Sequence, residues 1–317
     1  MIWVTWRQQR TETLIAVLLL TLVAALLVPT GLHMTSVYDR DGIAACLADP
    51  SIDCREKVKA FVERWDTLLN VVGWLNLVPG LIGALLAAPF VLEFERGTFR
   101  LAWTQSITRG RWLATRMALI VAAAVAVSVL LTLLMTWWHH PLDEVNGRFS
   151  DGFGLEGLVP SAYTLFAAAL VIALGVALRR TAAAIGLAFV VFIAFRIGIE
   201  NSARPHYQSP IEKTWLGDPG PELQGAWVFR QSGEFRIGHG QQPPDPSILD
   251  SCLSSAGGGK GVDADCLARH DIAYYTHASY HPAGRFWLFQ AIEASIFLAM
   301  AVALLAFSVW WIRKRIS

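Results

Sequence analysis

Residues 159–178 read VPSAYTLFAAALVIALGVAL, and residues 181–199, which follow the pair Arg179-Arg180, read TAAAIGLAFVVFIAFRIGI. Each stretch is about as long as the roughly 20 apolar residues that a helix needs to cross a bilayer core about 30 Å thick. A backbone in lipid must satisfy its own hydrogen bonds, which favours a helix for each stretch. The two-arginine connection therefore predicts two transmembrane helices joined by a very short turn.

Four further apolar blocks flank this pair, so the chain has six predicted spans. The six are Thr13–Leu32, Leu68–Leu92, Met117–Trp138, Val159–Leu178, Thr181–Ile199 and Phe286–Ile312. The composition agrees, because 54% of the residues are hydrophobic and only 16% are charged, whereas soluble domains are nearer a quarter charged. We predict an all-α integral membrane protein of the plasma membrane, with kinks at Pro79 and Pro89 in the second span, and we exclude a soluble enzyme.

The basic residues predict which side of the membrane each connection faces. Lys and Arg accumulate in short cytoplasmic loops, and here they cluster at residues 7–10, 96–116, 179–180 and 313–315. Both termini are then cytoplasmic, and the outer segments are 33–67, 139–158 and 200–285. We divide the chain into residues 1–199 with five helices and an inner loop at 93–112, an extracellular segment at 200–285, and residues 286–317 with the sixth helix and a basic tail.

All four cysteines fall in segments that the charge pattern places outside the cell. Cys46 and Cys54 lie in the first outer segment, and Cys252 and Cys266 lie in the third. An oxidising exterior permits disulfides. We predict the pairs Cys46–Cys54 and Cys252–Cys266. The alternative is four free thiols, which a mass shift on reduction would exclude.

The long outer segment at 200–285 has room for structure of its own. Two alternating runs, 224–230 and 234–238, flank Gln231-Ser232-Gly233 and predict a β-hairpin. His270, His277 and His281, next to Asp271, are either a metal site or solvated histidines, and the spacing of His277 and His281 is that of a helical ligand pair. We assign no metal ligands, because Tyr274-Tyr275 and Pro282 argue against a helix there.

Other chemical signatures are weak. Residues 257–261 read GGGKG but lack the first glycine and the Ser or Thr of a phosphate loop, so the chain carries no nucleotide-hydrolysing module of its own. The pair His139-His140 lies at a membrane exit and is interpreted as interfacial. The net charge of +1 provides no field that would favour nucleic acid. We therefore predict no catalytic residue, no cofactor and no nucleic-acid partner.

Three charged residues lie within predicted spans or at their outer ends, where a charge is costly and marks a candidate functional site. Arg196 and Glu200 are one helical turn apart, and Glu293 lies about two turns into the sixth span from the same side. We predict an Arg196–Glu293 contact with Glu200 nearer water. This cluster is either a structural tie between helices or part of a gate or substrate path.

The inner loop between the second and third spans is the most informative connection. Residues 92–109 read LEFERGTFRLAWTQSITR. Gly97 is predicted to end the helix that leaves the membrane, and Thr98 to cap a short new helix. That helix has an apolar edge and could dock into a groove of a soluble partner or lie against lipid headgroups. The predicted coupling residues are Glu93, Glu95, Gly97, Thr98, Leu101, Trp103, Thr104, Ile107 and Arg109.

This loop resembles that of permease subunits of type-2 ATP-binding-cassette exporters, in the actinobacterial style. The shared order is a Glu-rich exit (Glu93, Glu95), a Gly-Thr pair, a short coupling helix and then basic residues. The resemblance extends to the start Trp3-x-x-Trp6-Arg7-Gln8-Gln9-Arg10, the turn at Arg179-Arg180 and the basic end. Two features depart from the family: the outer segment before the last span is longer, and the coupling helix lacks the family's proline before Ser-Arg.

The resemblance implies a permease that performs no covalent chemistry itself. It implies a separate cytoplasmic ATPase, a second permease that is identical or homologous, and contact with membrane lipid. Residues 101–108 would then contact the ATPase, and Glu93 and Glu95 would hold the loop geometry. Two other classes stay open: a non-transporting sensor or scaffold that binds a partner through segment 200–285, and a membrane-embedded enzyme that uses outer His or Asp residues.

Overall fold

The computed structural model describes residues 10–49, 54–98, 108–149, 152–237, 244–254 and 264–315. The chain divides into two compact units. The helical unit consists of Met1–Tyr207 and Phe286–Ser317, and the sheet unit consists of Gln208–Arg285. Long apolar sequences build the first unit, and alternating polar and aromatic residues build the second.

The helical unit contains six helical segments that are long and apolar enough to cross a membrane, counted over the described residues. The predicted number of spans is therefore confirmed. Its helices are α1 (Arg10–Arg40), α2 (Ile43–Ala48), α3 (Arg55–Gly73), α4 (Val78–Glu95), α5 (Arg109–Asn146), α6 (Val159–Leu178), α7 (Thr181–Gly198) and α10 (Phe286–Arg315). Two further α-helices belong to the sheet unit.

The second span is interrupted and is longer than its apolar block. Helix α3 is followed by a 3-10 turn at Trp74–Leu77, and α4 then begins at Val78. Pro79 stands in the first turn of α4, where its missing N–H would have had no helical partner. The expected irregularity near Pro79 is thus a break before the proline, while Pro89 lies inside α4.

Helix α6 is the centre of the helical unit, and α4, α5, α7 and α10 all pack against it. Small residues allow the close approach of α4 and α6. A Cβ atom added at Gly83 would overlap the Thr164 carbonyl oxygen, and one added at Gly175 would overlap the Val91 side chain. Such small residues at helix contacts are typical of membrane bundles, where dispersion contacts rather than hydrophobic transfer hold helices together.

The periphery of the bundle carries large apolar side chains that the chain itself leaves uncovered. Leu22 on α1, Leu133 on α5, Val190 on α7 and Val302 on α10 are each more than 60% exposed. A water-soluble protein rarely exposes apolar surface on this scale. The bundle therefore fits a lipid environment, in agreement with the hydropathy of the sequence.

The sheet unit is built on three antiparallel strands in the order β1-β3-β2. They are β1 (Ile211–Leu216), β2 (Trp227–Ile237) and β3 (Ile272–His281). The predicted hairpin around Gln231-Ser232-Gly233 is wrong, because β2 runs straight through these residues and pairs with β3. Gly233 serves close approach rather than a turn: a Cβ atom there would overlap the ring of Tyr274.

Both predicted disulfides are confirmed. Cys46 of α2 is bonded to Cys54, which precedes α3. Cys252 is bonded to Cys266, and this bond joins α8 (Pro246–Ser254) to α9 (Ala264–Arg269). Both sulfurs of the second pair lie in a small core with Leu267 and Ile272, against which Phe235, Ile237, Ile248 and Leu249 pack.

Candidate functional site

Helix α4 ends as the sequence predicts. Gly97 adopts a left-handed backbone conformation with φ of +70°, which glycine enters without a steric penalty. The Thr98 hydroxyl lies 3.4 Å from the Glu93 carbonyl oxygen and donates back to the last turn of α4. The chain is thus turned out of the helix at the start of the predicted coupling segment.

Two carboxylates at this end of α4 connect it to two other helices. Glu93 forms an ion pair with Arg116 of α5, and both side chains are largely buried. Glu95 accepts a hydrogen bond of 2.8 Å from the backbone N–H of Thr181, at the N-terminus of α7, where a negative charge is favourable. We call Glu93, Glu95, Arg116 and Thr181 the helix-end clamp.

The sequence predicted only two of the four residues of the helix-end clamp. Glu93 and Glu95 were predicted to hold the loop, but their partners were missed. Arg116 stands directly before the predicted third span, and a cation so near lipid was the available signal. Arg116 also lies 6.0 Å from the centre of the Trp112 ring. The bond to Thr181 uses a backbone group, which no residue pattern can single out.

Most of the other predicted coupling residues lie in the inner loop beyond Thr98. Leu101, Trp103, Thr104 and Ile107 lie outside the described residues. Arg109 is the first residue of α5. Their role as a docking helix stays a prediction that rests on the sequence.

A second polar group lies in the interior of the bundle around Glu293 of α10, which is fully buried. Arg204 binds both carboxylate oxygens of Glu293, through Nε and Nη2 at 2.8 Å each. The hydroxyl of Tyr163 donates to Oε1, and that of Tyr207 donates to Oε2 at 3.2 Å. The carboxylate therefore accepts four hydrogen bonds, and we call Glu293, Arg204, Tyr163 and Tyr207 the Glu293 cluster.

The predicted partner of Glu293 was wrong. Arg196 donates instead to the carbonyl and side-chain oxygens of Asn76 in the 3-10 turn, and it lies 4.8 Å from the centre of the Tyr163 ring. Glu200 lies 3.5 Å from Arg204. The three predicted residues thus border one network, but Arg204 and Tyr163 connect them.

The misplaced partner has a structural cause. The fifth span was predicted to end at Ile199, but the chain stays helical as a π turn at Ile199–Ala203 and a 3-10 turn at Arg204–His206. This continuation brings Arg204, which is 6% exposed, into the bundle. Burial, followed by the charge of Glu293, raises the pKa of the Tyr207 phenol, so Tyr207 is a hydrogen-bond donor at neutral pH.

The segment before α6 is fastened to α10 next to this cluster. Gln290 Oε1 accepts from the backbone N–H groups of Leu158 and Val159 at 3.0 and 3.1 Å, and its Nε2 donates to the Phe153 carbonyl oxygen at 2.8 Å. The Arg204 guanidinium lies 4.1 Å from the centre of the Phe153 ring. Residues 153–159 are therefore held by both main-chain and side-chain contacts.

The histidines singled out in the long segment lie on β3 or beside α9. His277 Nε2 lies 2.7 Å from Glu234 Oε1, and its Nδ1 lies 2.7 Å from the Thr214 hydroxyl. Arg236 and then His277 hold the pKa of Glu234 below its usual value. His281 lies 3.0 Å from Arg285. Because His277 and His281 are on a strand, their helical spacing has no meaning as a ligand pair.

A different group of potential ligands was missed. His139 and Asp143 of α5 converge with Glu156, the only such group of three among the residues that the structure describes. The sequence showed only that His139 stands at a membrane exit. Glu156 joins the group because the turn at residues 152–156 brings it back to α5.

Comparison with known proteins gives one match. A family model described as ABC-2 membrane transporter related matches residues 17–204. No curated protein and no solved structure matches the chain. The matched region covers more than half of the chain. It contains α4, the described part of the inner loop, the helix-end clamp, and Tyr163 and Arg204 of the Glu293 cluster.

Proposed function

The chain belongs to the ABC-2 membrane transporter related family, and from this premise we propose that it is the membrane-spanning permease subunit of an ATP-binding-cassette exporter. It moves a substrate outward with energy from ATP that a separate cytoplasmic subunit hydrolyses. A second permease, identical or homologous, completes the path. The family match supports a permease-like role in the plasma membrane. The outward direction of transport and the two partner subunits are our proposals.

The observation that carries the proposal is the helix-end clamp. A coupling loop is useful only if a push on it moves the spans, and the clamp joins the start of this loop to three helices at once. Glu93 fixes α4 to Arg116 of α5, and Glu95 fixes α4 to the first turn of α7. Displacement of residues 97–109 would therefore move α4, α5 and α7 together.

The mechanism needs no covalent step on this chain. Closure of the ATPase on ATP pushes the loop, the clamp passes the displacement to the spans, and the path changes the side to which it opens. A ligand shifts such an equilibrium only by its different affinities for the two states. ATP and substrate thus act on the same pair of conformations from opposite ends of the bundle.

Tryptophan substitution in the loop tests the proposal. The tagged full chain is purified from membranes of its own host in mild detergent, and ATP hydrolysis in the eluate is measured. A docked tryptophan is a frequent hot spot whose truncation costs about 2 kcal/mol or more. We therefore expect Trp103→Ala to lower the co-purified ATPase activity by at least about tenfold, without loss of the chain from the membrane.

Trp74→Ala is the matched control, because Trp74 is 74% exposed on the 3-10 turn. Its co-purified activity should equal that of the unsubstituted chain. Equal ATPase activity in both variants would contradict the docking role of the loop. If no ATPase activity co-purified with the unsubstituted chain, the sensor or scaffold hypothesis would be favoured instead.

A further inference from the structure

His139, Asp143 and Glu156 bring one imidazole and two carboxylates together at the end of α5. His139 and Asp143 are four residues apart, so both project from one face of the helix. Glu156 approaches them from a turn in which the amides of Leu155 and Glu156 both donate to the Gly152 carbonyl oxygen. One ligand atom of each side chain lies within 4.8 Å of the other two.

These groups are largely withdrawn from water, and several of their polar atoms lack a hydrogen-bond partner. His139 and Glu156 are each 2% exposed. Within the described residues, His139 Nε2, Glu156 Oε1 and both carboxylate oxygens of Asp143 are buried and lack a hydrogen-bond partner. Arg148 approaches Asp143 only to 3.7 Å and is 41% exposed. Buried polar atoms almost always have a hydrogen-bond partner or another ligand in native proteins. We therefore expect these atoms to bind a ligand.

The spacing of His139 and Glu156 favours a shared ion over a direct hydrogen bond. His139 Nδ1 and Glu156 Oε1 are 3.8 Å apart, which is too far for a hydrogen bond. Two ligands at about 2.1 Å from a tetrahedral ion are roughly 3.4 Å apart. Gly152 keeps this space open, since a Cβ atom there would lie 2.9 Å from Glu156 Oε1 and 3.2 Å from His139 Nδ1.

We propose that His139, Asp143 and Glu156 bind a divalent transition-metal cation, for which zinc is the best fit. Imidazole nitrogen and carboxylate oxygen are both zinc ligands, and three protein ligands leave a fourth position for water. Calcium and magnesium prefer sites made of oxygen alone. The charge of the dication also balances the two carboxylates, whose mutual repulsion otherwise opposes their burial.

A bound cation would tie the end of α5 to the segment that precedes α6. That segment is already held against α10 by Gln290. The metal would thus complete a rigid corner among α5, α6 and α10. An ion that binds only the folded protein stabilises it by mass action, so zinc should raise the melting temperature of the chain.

Zinc binding to the purified full chain tests this site. The protein in detergent is stripped with a chelator, and zinc is titrated against a competing fluorescent chelator while bound metal is counted by mass spectrometry. We expect one tightly bound zinc per chain. His139→Gln, Asp143→Asn and Glu156→Gln should each weaken binding by at least about tenfold, because each removes one of three ligands. The adjacent exposed residues provide the controls His140→Gln and Glu144→Gln, which should bind as the unsubstituted chain does.

Two further measurements keep the test decisive if a variant fails to fold. Zinc should raise the melting temperature of the unsubstituted chain and of both controls, but not of a ligand variant. Cobalt(II) added to the stripped unsubstituted chain should produce the visible absorption of a four-coordinate site, and one equivalent of zinc should remove it. Absence of tight zinc binding by the unsubstituted chain would overturn the proposal, as would undiminished affinity in all three ligand variants.

Discussion

Substitution of Arg204 by alanine should destabilise the helical unit by about 3–5 kcal/mol. Arg204 is the only cation that the structure places on Glu293 among the described residues, and both of its bonds to the carboxylate are 2.8 Å long. Its removal leaves a fully buried negative charge with only the two tyrosine hydroxyls as partners. The effect should be visible as a lower midpoint of chemical denaturation in detergent micelles.

A double variant separates the ion pair from simple loss of packing. Glu293→Gln removes the charge, keeps an acceptor oxygen for one tyrosine hydroxyl and presents an amide N–H that the other hydroxyl can accept. Arg204→Met keeps most of the side-chain volume. The combination should recover a large part of the stability, since a buried pair is often replaced at little cost while half of one is not tolerated.

The matched control is an ion pair on the surface. Lys59 and Glu63 lie 3.8 Å apart with side chains 75% and 67% exposed, and such a pair contributes roughly 0.3–0.5 kcal/mol. Lys59→Ala should therefore shift the midpoint little. If Arg204→Ala proved no more destabilising than Lys59→Ala, the Glu293 cluster would not be a structural tie.

Loss of the Cys252–Cys266 disulfide should destabilise the sheet unit by about 3 kcal/mol, the amount expected for a closed loop of about 15 residues. The two cysteines are 14 residues apart and lie in the small core beside Ile272. A unit of this size has little other apolar burial with which to compensate. In Cys252→Ala/Cys266→Ala, amide hydrogen exchange in β3 should accelerate by roughly a hundredfold.

Cys46→Ala/Cys54→Ala supplies the control for this experiment. It removes a disulfide of the helical unit whose cysteines are 8 residues apart, so exchange in β3 should be unchanged. Equal acceleration in both double variants would point to a general effect of cysteine loss. Unchanged exchange in Cys252→Ala/Cys266→Ala would mean that the sheet is held together without the bond.

Much of the helical unit follows from hydropathy, because lipid imposes a length and a composition on every span. The first and last residues of the helices cannot be predicted from hydropathy in the same way. The third span was predicted as Met117–Trp138, whereas α5 runs from Arg109 to Asn146. Hydropathy marks only the part of a helix that suits hydrocarbon, and a helix can continue into the polar region without any change of period.

The polar groups show where residue patterns stop being informative. A charge in a span indicates that a partner exists, and this reasoning found Glu293 and Arg196. The choice of partner depends on backbone geometry. The π and 3-10 turns after Gly198 bring Arg204 to Glu293, and the break before α4 turns Asn76 toward Arg196.

In the sheet unit, local composition predicted a turn that the structure does not form. Gln231-Ser232-Gly233 has the composition of a turn, but β2 has a full-length partner in β3, which is distant in the sequence. The ladder of hydrogen bonds with β3 outweighs the local preference of three residues. Gly233 is explained by the ring of Tyr274 lying over it, a contact that no local pattern contains.

In the conformation described, the contacts of the Glu293 cluster favour a structural tie between helices over a gate. Within the described residues, the carboxylate of Glu293 accepts four hydrogen bonds from Arg204, Tyr163 and Tyr207, so its lone pairs are used inside the chain. The helix-end clamp differs, because it lies at the start of the loop on which the ATPase is proposed to act. Displacement is therefore expected to enter the bundle at the clamp, which moves its three helices together, while the cluster keeps its contacts.

The most direct test of the account is the side of the membrane on which residue 106 lies. The four native cysteines form two disulfides, so Ser106→Cys introduces a single reactive thiol into the full chain. An impermeant maleimide should leave it unlabelled in intact cells and label it after permeabilisation, with protection when the ATPase is bound. Labelling in intact cells would place the loop outside, where no ATP-driven partner could act on it.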